Sequence, residues 1–120
     1  MIRAARWAAL LGGVALALVY LNSAAFSAWA GTGPPPTNAF REAWMHRAFA
    51  HLCYGGAAAL GGASLFRVMQ RPLRLDRVVL ALTVLVVLLL AAPRIRLFVF
   101  VEPCLHSEGR WDDATFRCLR

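Results

Sequence analysis

The chain has 120 residues, of which 60% are hydrophobic, and a formal net charge of +7. This length leaves room for one compact unit and excludes two domains. All thirteen basic residues are arginines, and they flank apolar segments instead of forming one basic patch, which argues against a nucleic-acid partner. The composition therefore predicts an all-α membrane protein in contact with the lipid bilayer.

The first apolar segment predicts a transmembrane helix over residues 7–30, preceded by Arg3 and Arg6. A basic start, an apolar middle and Ala28-Trp29-Ala30 before Gly31 also fit a cleavable secretory signal. The bulky Trp29 beside that site favours a retained helix. In both interpretations the residues that follow lie outside the cytoplasm.

Residues 31–37, GTGPPPT, form a proline-rich outer link, because three consecutive prolines cannot continue a helix. Thr37 or Asn38 is expected to cap a second transmembrane helix over residues 39–68. Its first part, Phe40 to His51, mixes aromatic and charged residues, as a helix end in the headgroup layer does.

Small residues recur every four positions in the second span, at Gly55, Ala59 and Ala63. This spacing gives a helix face with little side chain, which lets another backbone approach closely. Gly13 and Ala17 repeat the spacing in the first span, so the face can pack inside the protein's own three-helix bundle. Alternatively, Gly55, Ala59 and Ala63 bind another subunit.

Residues 67–77 form a short basic loop, which is expected on the cytoplasmic side, and the third transmembrane helix is predicted over residues 78–95. Val78 to Ala92 carries no charge, and Pro93 is expected near the exit of this helix. The predicted order is N-terminus in and C-terminus out, with residues 96–120 as a periplasmic tail.

The cysteines indicate which side of the membrane the tail faces. Cys104 and Cys118 flank a short tail segment, and on an oxidising side they can close a disulfide loop worth about 3 kcal/mol. The alternative makes Cys104, His106 and Cys118 metal ligands, but a fourth ligand and a C-x-x-C pair are missing. Cys53 lies in the second span and is interpreted as a small buried hydrophobe.

The tail itself is predicted to form a disulfide-closed loop or β-hairpin. Residues 97–101 and 115–119 are the candidate strands, and residues 108–110 the turn between them. Trp111 either covers the cystine or, with Arg110, forms a partner-binding anchor, since Trp and Arg are favoured at interface hot spots.

The tail motif Cys104-Leu105-x-x-x-Gly109-x-Trp111, closed by Cys118, resembles the C-terminal loop of small bacterial inner-membrane proteins of unassigned role. Some of these proteins are encoded as immunity partners of secreted toxins. Glu108 stands where the second glycine of that motif is usual, which suggests a different turn. The resemblance covers about the last sixth of the chain and implies a location in the bacterial inner membrane.

Enzymatic signatures are weak. His46 and His51 are five residues apart, which does not place them on one helix face as a metal or haem pair. The spans from Trp7 to Ala30, Leu52 to Phe66 and Val78 to Ala92 carry no ionisable side chain of the kind that proton relays and ion pathways use. We therefore expect no enzyme activity, no cofactor and no metal.

Two functions fit these patterns. The first is an accessory subunit that binds a larger membrane protein or complex through the glycine face and the outer tail. The second is an immunity protein that neutralises a toxin acting from the periplasmic side or on the membrane.

Overall fold

The computed structural model describes residues 1–33, 40–72 and 76–120 and contains three long helices and a small antiparallel hairpin. The helices are α1 (Ile2–Gly31), α2 (Arg41–Gln70) and α3 (Arg77–His106), each of 30 residues. The strands are β1 (Arg110–Asp112) and β2 (Arg117–Leu119). All three helices are long and apolar enough to cross a membrane, as expected of a multi-pass membrane protein.

The middle helix α2 packs against both of its neighbours, and most extensively against α1. The two helices run antiparallel, because Trp7 near the start of α1 contacts Phe66 near the end of α2 at 5.1 Å between ring centroids. At the opposite end Phe26 of α1 meets Trp44 of α2 at 6.3 Å. The start of α1, the end of α2 and the start of α3 therefore share one side of the bundle, and the hairpin lies on the other.

The interior of the bundle is made of small side chains. Its buried residues include Ala17, Ala24, Ala48, Cys53 and Ala57, whereas large aliphatic side chains along all three helices point outward. Within the described ranges no large side chain is fully buried. This distribution suits a surface solvated by lipid, where helices associate through close packing of small residues and not through hydrophobic exclusion from water.

Helix α3 continues farther than the sequence indicated, and the strand predicted at residues 97–101 is wrong because these residues belong to α3. Pro93 is buried inside the helix instead of ending it, and Pro103 lies in its last turns. A helix satisfies its backbone hydrogen bonds within the segment, whereas an isolated strand next to an apolar span leaves donors and acceptors unpaired. β-branched and aromatic residues therefore remain helical here.

The hairpin is confirmed, but with other strands and another turn. β1 pairs with β2 in the register Arg110 with Leu119, Trp111 with Cys118 and Asp112 with Arg117. Its turn spans residues 113–116, not residues 108–110. The second candidate strand, residues 115–119, contains β2.

The connections differ slightly from the sequence-based ranges. The last residue of α1 is Gly31, and α2 begins after Phe40. The capping residues expected for α2, Thr37 and Asn38, lie outside the described residues, as does the proline run. Between α2 and α3 only residues 71, 72 and 76 are described.

Candidate functional site

The glycine face of α2 contacts α1 of the same chain. A Cβ atom built on Gly55 would lie 3.3 Å from the carbonyl oxygen of Ala17 and 3.3 Å from the Cβ of Tyr20. Gly55 is buried, whereas Ala59 and Ala63 are half-buried. The structure thus places Gly55 in the α1–α2 interface and leaves the other two residues at its side partly accessible.

The end of α3 is built around a disulfide bond between Cys104 and Cys118. Cys104 is buried, and the pairing joins the last turn of α3 to β2. A Cβ atom on Gly109 would lie 2.6 Å from the Cys118 sulfur and 3.1 Å from the Cys104 carbonyl oxygen. Only glycine fits at this position without movement of the cystine, which explains the glycine of the tail motif by packing alone.

The chain leaves α3 through a left-handed residue, Glu108, at φ 60°. Its N–H donates to the carbonyl oxygen of Leu105 at 3.3 Å, and the N–H of Gly109 donates to that of Cys104 at 3.0 Å. These two bonds form a Schellman C-cap, in which glycine is the usual residue at the left-handed position. Glu108 therefore occupies a backbone conformation that costs free energy for any residue with a Cβ.

The hairpin turn is organised by Asp112. Its carboxylate accepts hydrogen bonds from the Thr115 hydroxyl at 2.7 Å and from the Ala114 N–H at 3.1 Å. These hydrogen bonds, first that from the Thr115 hydroxyl and then that from the Ala114 N–H, lower the pKa of Asp112 below its ordinary value. The folded hairpin therefore favours the ionised carboxylate.

Phe116 anchors the hairpin to the helices, a role that its sequence context did not predict. Its ring stacks on the imidazole of His46 in α2 at 4.4 Å between centroids and meets Phe100 of α3 edge-on at 5.5 Å. Trp111 closes the cluster from β1 at 5.0 Å. Phe116 is 8% exposed and has a left-handed φ of 53°. An aromatic residue two positions before a predicted cystine is the only local signal for this role.

The two tail residues predicted to bind a partner lie next to each other on β1. Arg110 is exposed, and Trp111 is half-buried. The Trp111 Nε1 donates to the Asp113 carboxylate at 2.9 Å. Trp111 therefore packs on Phe116 and remains half-buried, and Arg110, as the adjacent residue of the strand, projects from its opposite face.

An open cleft of about 770 Å³ lies between the hairpin and the helices, and we call it the hairpin cleft. It is lined by residues from α2, α3 and the hairpin: Arg41, Glu42, Met45, Arg96, Phe100, Trp111, Phe116, Arg117 and Cys118. Arg117 pairs with Glu42 at 3.7 Å, with both side chains more than half exposed. The Arg96 guanidinium lies 5.1 Å from the ring centroid of Phe49 and 5.9 Å from that of Phe100.

A second cleft, of about 650 Å³, lies between α1 and α2 on the same side of the bundle. Its lining combines polar residues of both helices, including Asn22, Ser27 and His51, with Trp44 and Arg47. The Arg47 guanidinium stacks over the indole of Trp44 at 5.0 Å. The polar positions of the two helices are thus gathered near one end of the bundle.

His46 and His51 contact different aromatic residues and do not form a pair. His46 stacks on Phe116, and His51 lies 5.9 Å from Tyr20 between ring centroids. Cys104 and Cys118 are bonded to each other. Across residues 1–33, 40–72 and 76–120, no group of three or more His, Cys, Asp and Glu side chains could hold a metal ion.

Comparisons with protein-family models, with curated proteins and with solved structures found no match to this chain.

Proposed function

We propose that this chain is a non-enzymatic multi-pass protein of the bacterial inner membrane that binds a partner protein as an accessory subunit of a larger membrane complex. The observation that carries the proposal is the construction of the hairpin. Its cystine and the Phe116 cluster fix it to two helices, and it presents Arg110 and Trp111 on an accessible strand. Trp and Arg are the residue types that dominate binding energy at protein interfaces, and a rigid strand holds both in place before binding.

The proposed orientation places the N-terminus in the cytoplasm and the hairpin in the periplasm. The bond between Cys104 and Cys118 supports it, because such bonds persist in oxidising compartments. Arginine counting does not discriminate between the two sides. Among the described residues, five arginines belong to the side of Arg3 and Arg77, and seven to the hairpin side.

A labelling experiment tests this orientation. A membrane-impermeant maleimide applied to intact spheroplasts is expected to label Cys104 and Cys118 only after reduction. A Cys53→Ser background removes the remaining thiol. Labelling that requires no reductant contradicts the disulfide bond, and labelling that requires permeabilised membranes contradicts the proposed topology.

The partner-binding role is tested by affinity purification from native membranes in a mild detergent. Arg110→Ala is the sharper variant, because Arg110 is exposed and its removal leaves the Phe116 cluster intact. We expect the copurifying membrane proteins to be lost with Arg110→Ala and with Trp111→Ala. Arg71→Ala removes the same charge from an exposed residue at the opposite side of the bundle and is the matched control. Equal recovery with all three variants contradicts binding through the hairpin.

The alternative, an immunity protein, uses the same strand and differs in the partner. It is supported by the resemblance of the tail motif, although two motif residues, Cys104 and Gly109, have a structural role in the cystine. Expression of the chain in cells exposed to a candidate toxin separates the two functions. Protection that disappears with Arg110→Ala favours immunity, and toxin sensitivity equal to that of cells lacking the chain excludes it for that toxin.

A further inference from the structure

We propose that the hairpin cleft binds the phosphodiester headgroup of an anionic phospholipid. The inference does not use Arg110, but Trp111, the other residue proposed to bind a partner, also lines this cleft.

The charge of the cleft favours an anion. Three arginines line it, one each from α2, α3 and the hairpin, and Glu42 is the one acid among its lining residues, which gives a formal net charge of +2. Glu42 pairs with Arg117. Within the described part of the chain, Arg41 and Arg96 have no acidic side chain within 4.0 Å. Two guanidinium groups are therefore available to a ligand.

Two aromatic rings restrain the guanidinium group of Arg96. Its guanidinium lies 5.1 Å from the ring centroid of Phe49 and 5.9 Å from that of Phe100. Contact with an aromatic face restrains the guanidinium through its π surface and leaves its N–H donors free. The planar set of donors matches two oxygens of a phosphate group, and such charge-assisted pairs are strong.

The depth of Arg96 matches that of a lipid headgroup. From Arg77 at the start of α3 to Arg96, the helix rises about 28 Å at 1.5 Å per residue. The hydrocarbon core of a bilayer is about 30 Å thick. If Arg77 lies at one boundary of the hydrocarbon core, the backbone of Arg96 lies near the other boundary, from which its guanidinium can reach the phosphates of that leaflet.

The remaining walls of the cleft fit an amphiphile better than a free anion. Met45 and Phe100 line the cleft, and exposed apolar residues of α3, among them Leu85 and Leu88, lie on the bilayer side of Arg96. Acyl chains attached to the bound phosphate can lie along this surface, whereas inorganic phosphate would leave it uncovered. A membrane lipid is therefore the expected source of the phosphate.

Native mass spectrometry and thermal unfolding of the full chain in a neutral detergent test the proposal. We expect dioleoylphosphatidylglycerol to bind with one molecule per chain and to raise the unfolding temperature. Dioleoylphosphatidylcholine, with the same acyl chains, should bind at least about tenfold more weakly. Equal binding of the two lipids, or equal stabilisation by inorganic phosphate, overturns the proposal.

Arg96→Gln tests the site itself, with Arg94→Gln as the matched control. Both residues lie on the same part of α3, but Arg94 is exposed and does not line the cleft. We expect Arg96→Gln to weaken phosphatidylglycerol binding by about tenfold or more, and Arg94→Gln to change it less than about twofold. Equal losses would indicate attraction to the surface charge only and overturn the site.

A third variant keeps the test valid if Arg96→Gln does not fold. Arg41→Gln alters an exposed residue at the start of α2 and removes the second available guanidinium. Oxidation of Cys104 and Cys118 in each variant reports whether the hairpin has formed. Unchanged phosphatidylglycerol binding by a correctly oxidised Arg41→Gln protein contradicts the proposal.

Discussion

Gly13 of α1 and Gly62 of α2 face each other with no side chain between their backbones. A Cβ atom on Gly13 would lie 2.9 Å from the Cα of Gly62 and 2.8 Å from the carbonyl oxygen of Ala58. A Cβ atom on Gly62 would lie 3.1 Å from the Cα of Gly13. The two helix backbones are therefore in direct contact at this pair.

Replacement of Gly13 by alanine is expected to destabilise the α1–α2 pair by about 1–3 kcal/mol, because the methyl group meets backbone atoms that cannot move aside. Gly12→Ala is the matched control. A Cβ there has nothing within 4 Å, and alanine favours a helix over glycine by about 0.5–1 kcal/mol. The stability of both variants can be measured by circular dichroism while SDS is added to the detergent-solubilised protein. Equal midpoints for the two variants would contradict the close contact.

Phe116→Ala is expected to release the hairpin from α2 and α3 while the helices remain formed. Truncation of a nearly fully buried Phe costs about 3 kcal/mol or more, and a two-stranded hairpin has little stability of its own. Amide hydrogen exchange of β1 and β2 should therefore become faster, and dithiothreitol should reduce the cystine sooner. Phe98→Ala, at a residue that is 62% exposed, should leave both rates unchanged.

Glu108→Gly is expected to stabilise the end of α3. The left-handed φ of 60° at Glu108 is free of steric cost for glycine, which gives a gain of about 0.5–1 kcal/mol. Glu102→Gly places the same substitution inside α3 and should instead destabilise it by about 1 kcal/mol. Slower exchange of the Gly109 amide in the first variant and faster exchange in the second would confirm the C-cap. A change of the exchange rate in the same direction in both variants would contradict the C-cap.

The hairpin turn should weaken in acid. Because the pKa of Asp112 is lowered in the folded state, its contribution is fully present above the ordinary carboxyl pKa of about 3.9. That contribution is lost as the pH falls through the lowered folded value. Thr115→Val removes the largest cause of the shift and should move the Asp112 pKa back toward its ordinary value.

Nuclear magnetic resonance titration of the Asp112 carboxyl carbon and the Ala114 amide in micelles measures this behaviour. Loss of the Ala114 hydrogen bond at a pH above 3.9 in the unmodified chain would contradict the assigned direction.

The three helices could be predicted, because a long apolar segment flanked by arginines indicates a transmembrane helix from its local composition alone. The pairing of Cys104 with Cys118 could also be predicted, since few alternatives exist for three cysteines. The end of α3 could not, because residues 97–101 have strand propensity in water and membrane surroundings favour internal hydrogen bonding.

Contacts distant in sequence were also missed. Phe116 stacks on His46, and Arg96 reaches the cleft beneath the hairpin. Neither contact has a local pattern, because each joins elements that meet only after the helices have packed. Arg96 could be predicted as a flank of the third span but not as part of a cleft.

The small residues that allow α2 to pack closely also make it the least hydrophobic of the three spans. Its transfer from the translocon into lipid is accordingly the least favourable, and its close contact with α1 supplies a neighbour during synthesis. We expect α1 and α2 to insert as a helical pair. Glycosylation mapping of nascent chains should show α2 failing to insert when α1 is replaced by an unrelated polyleucine segment.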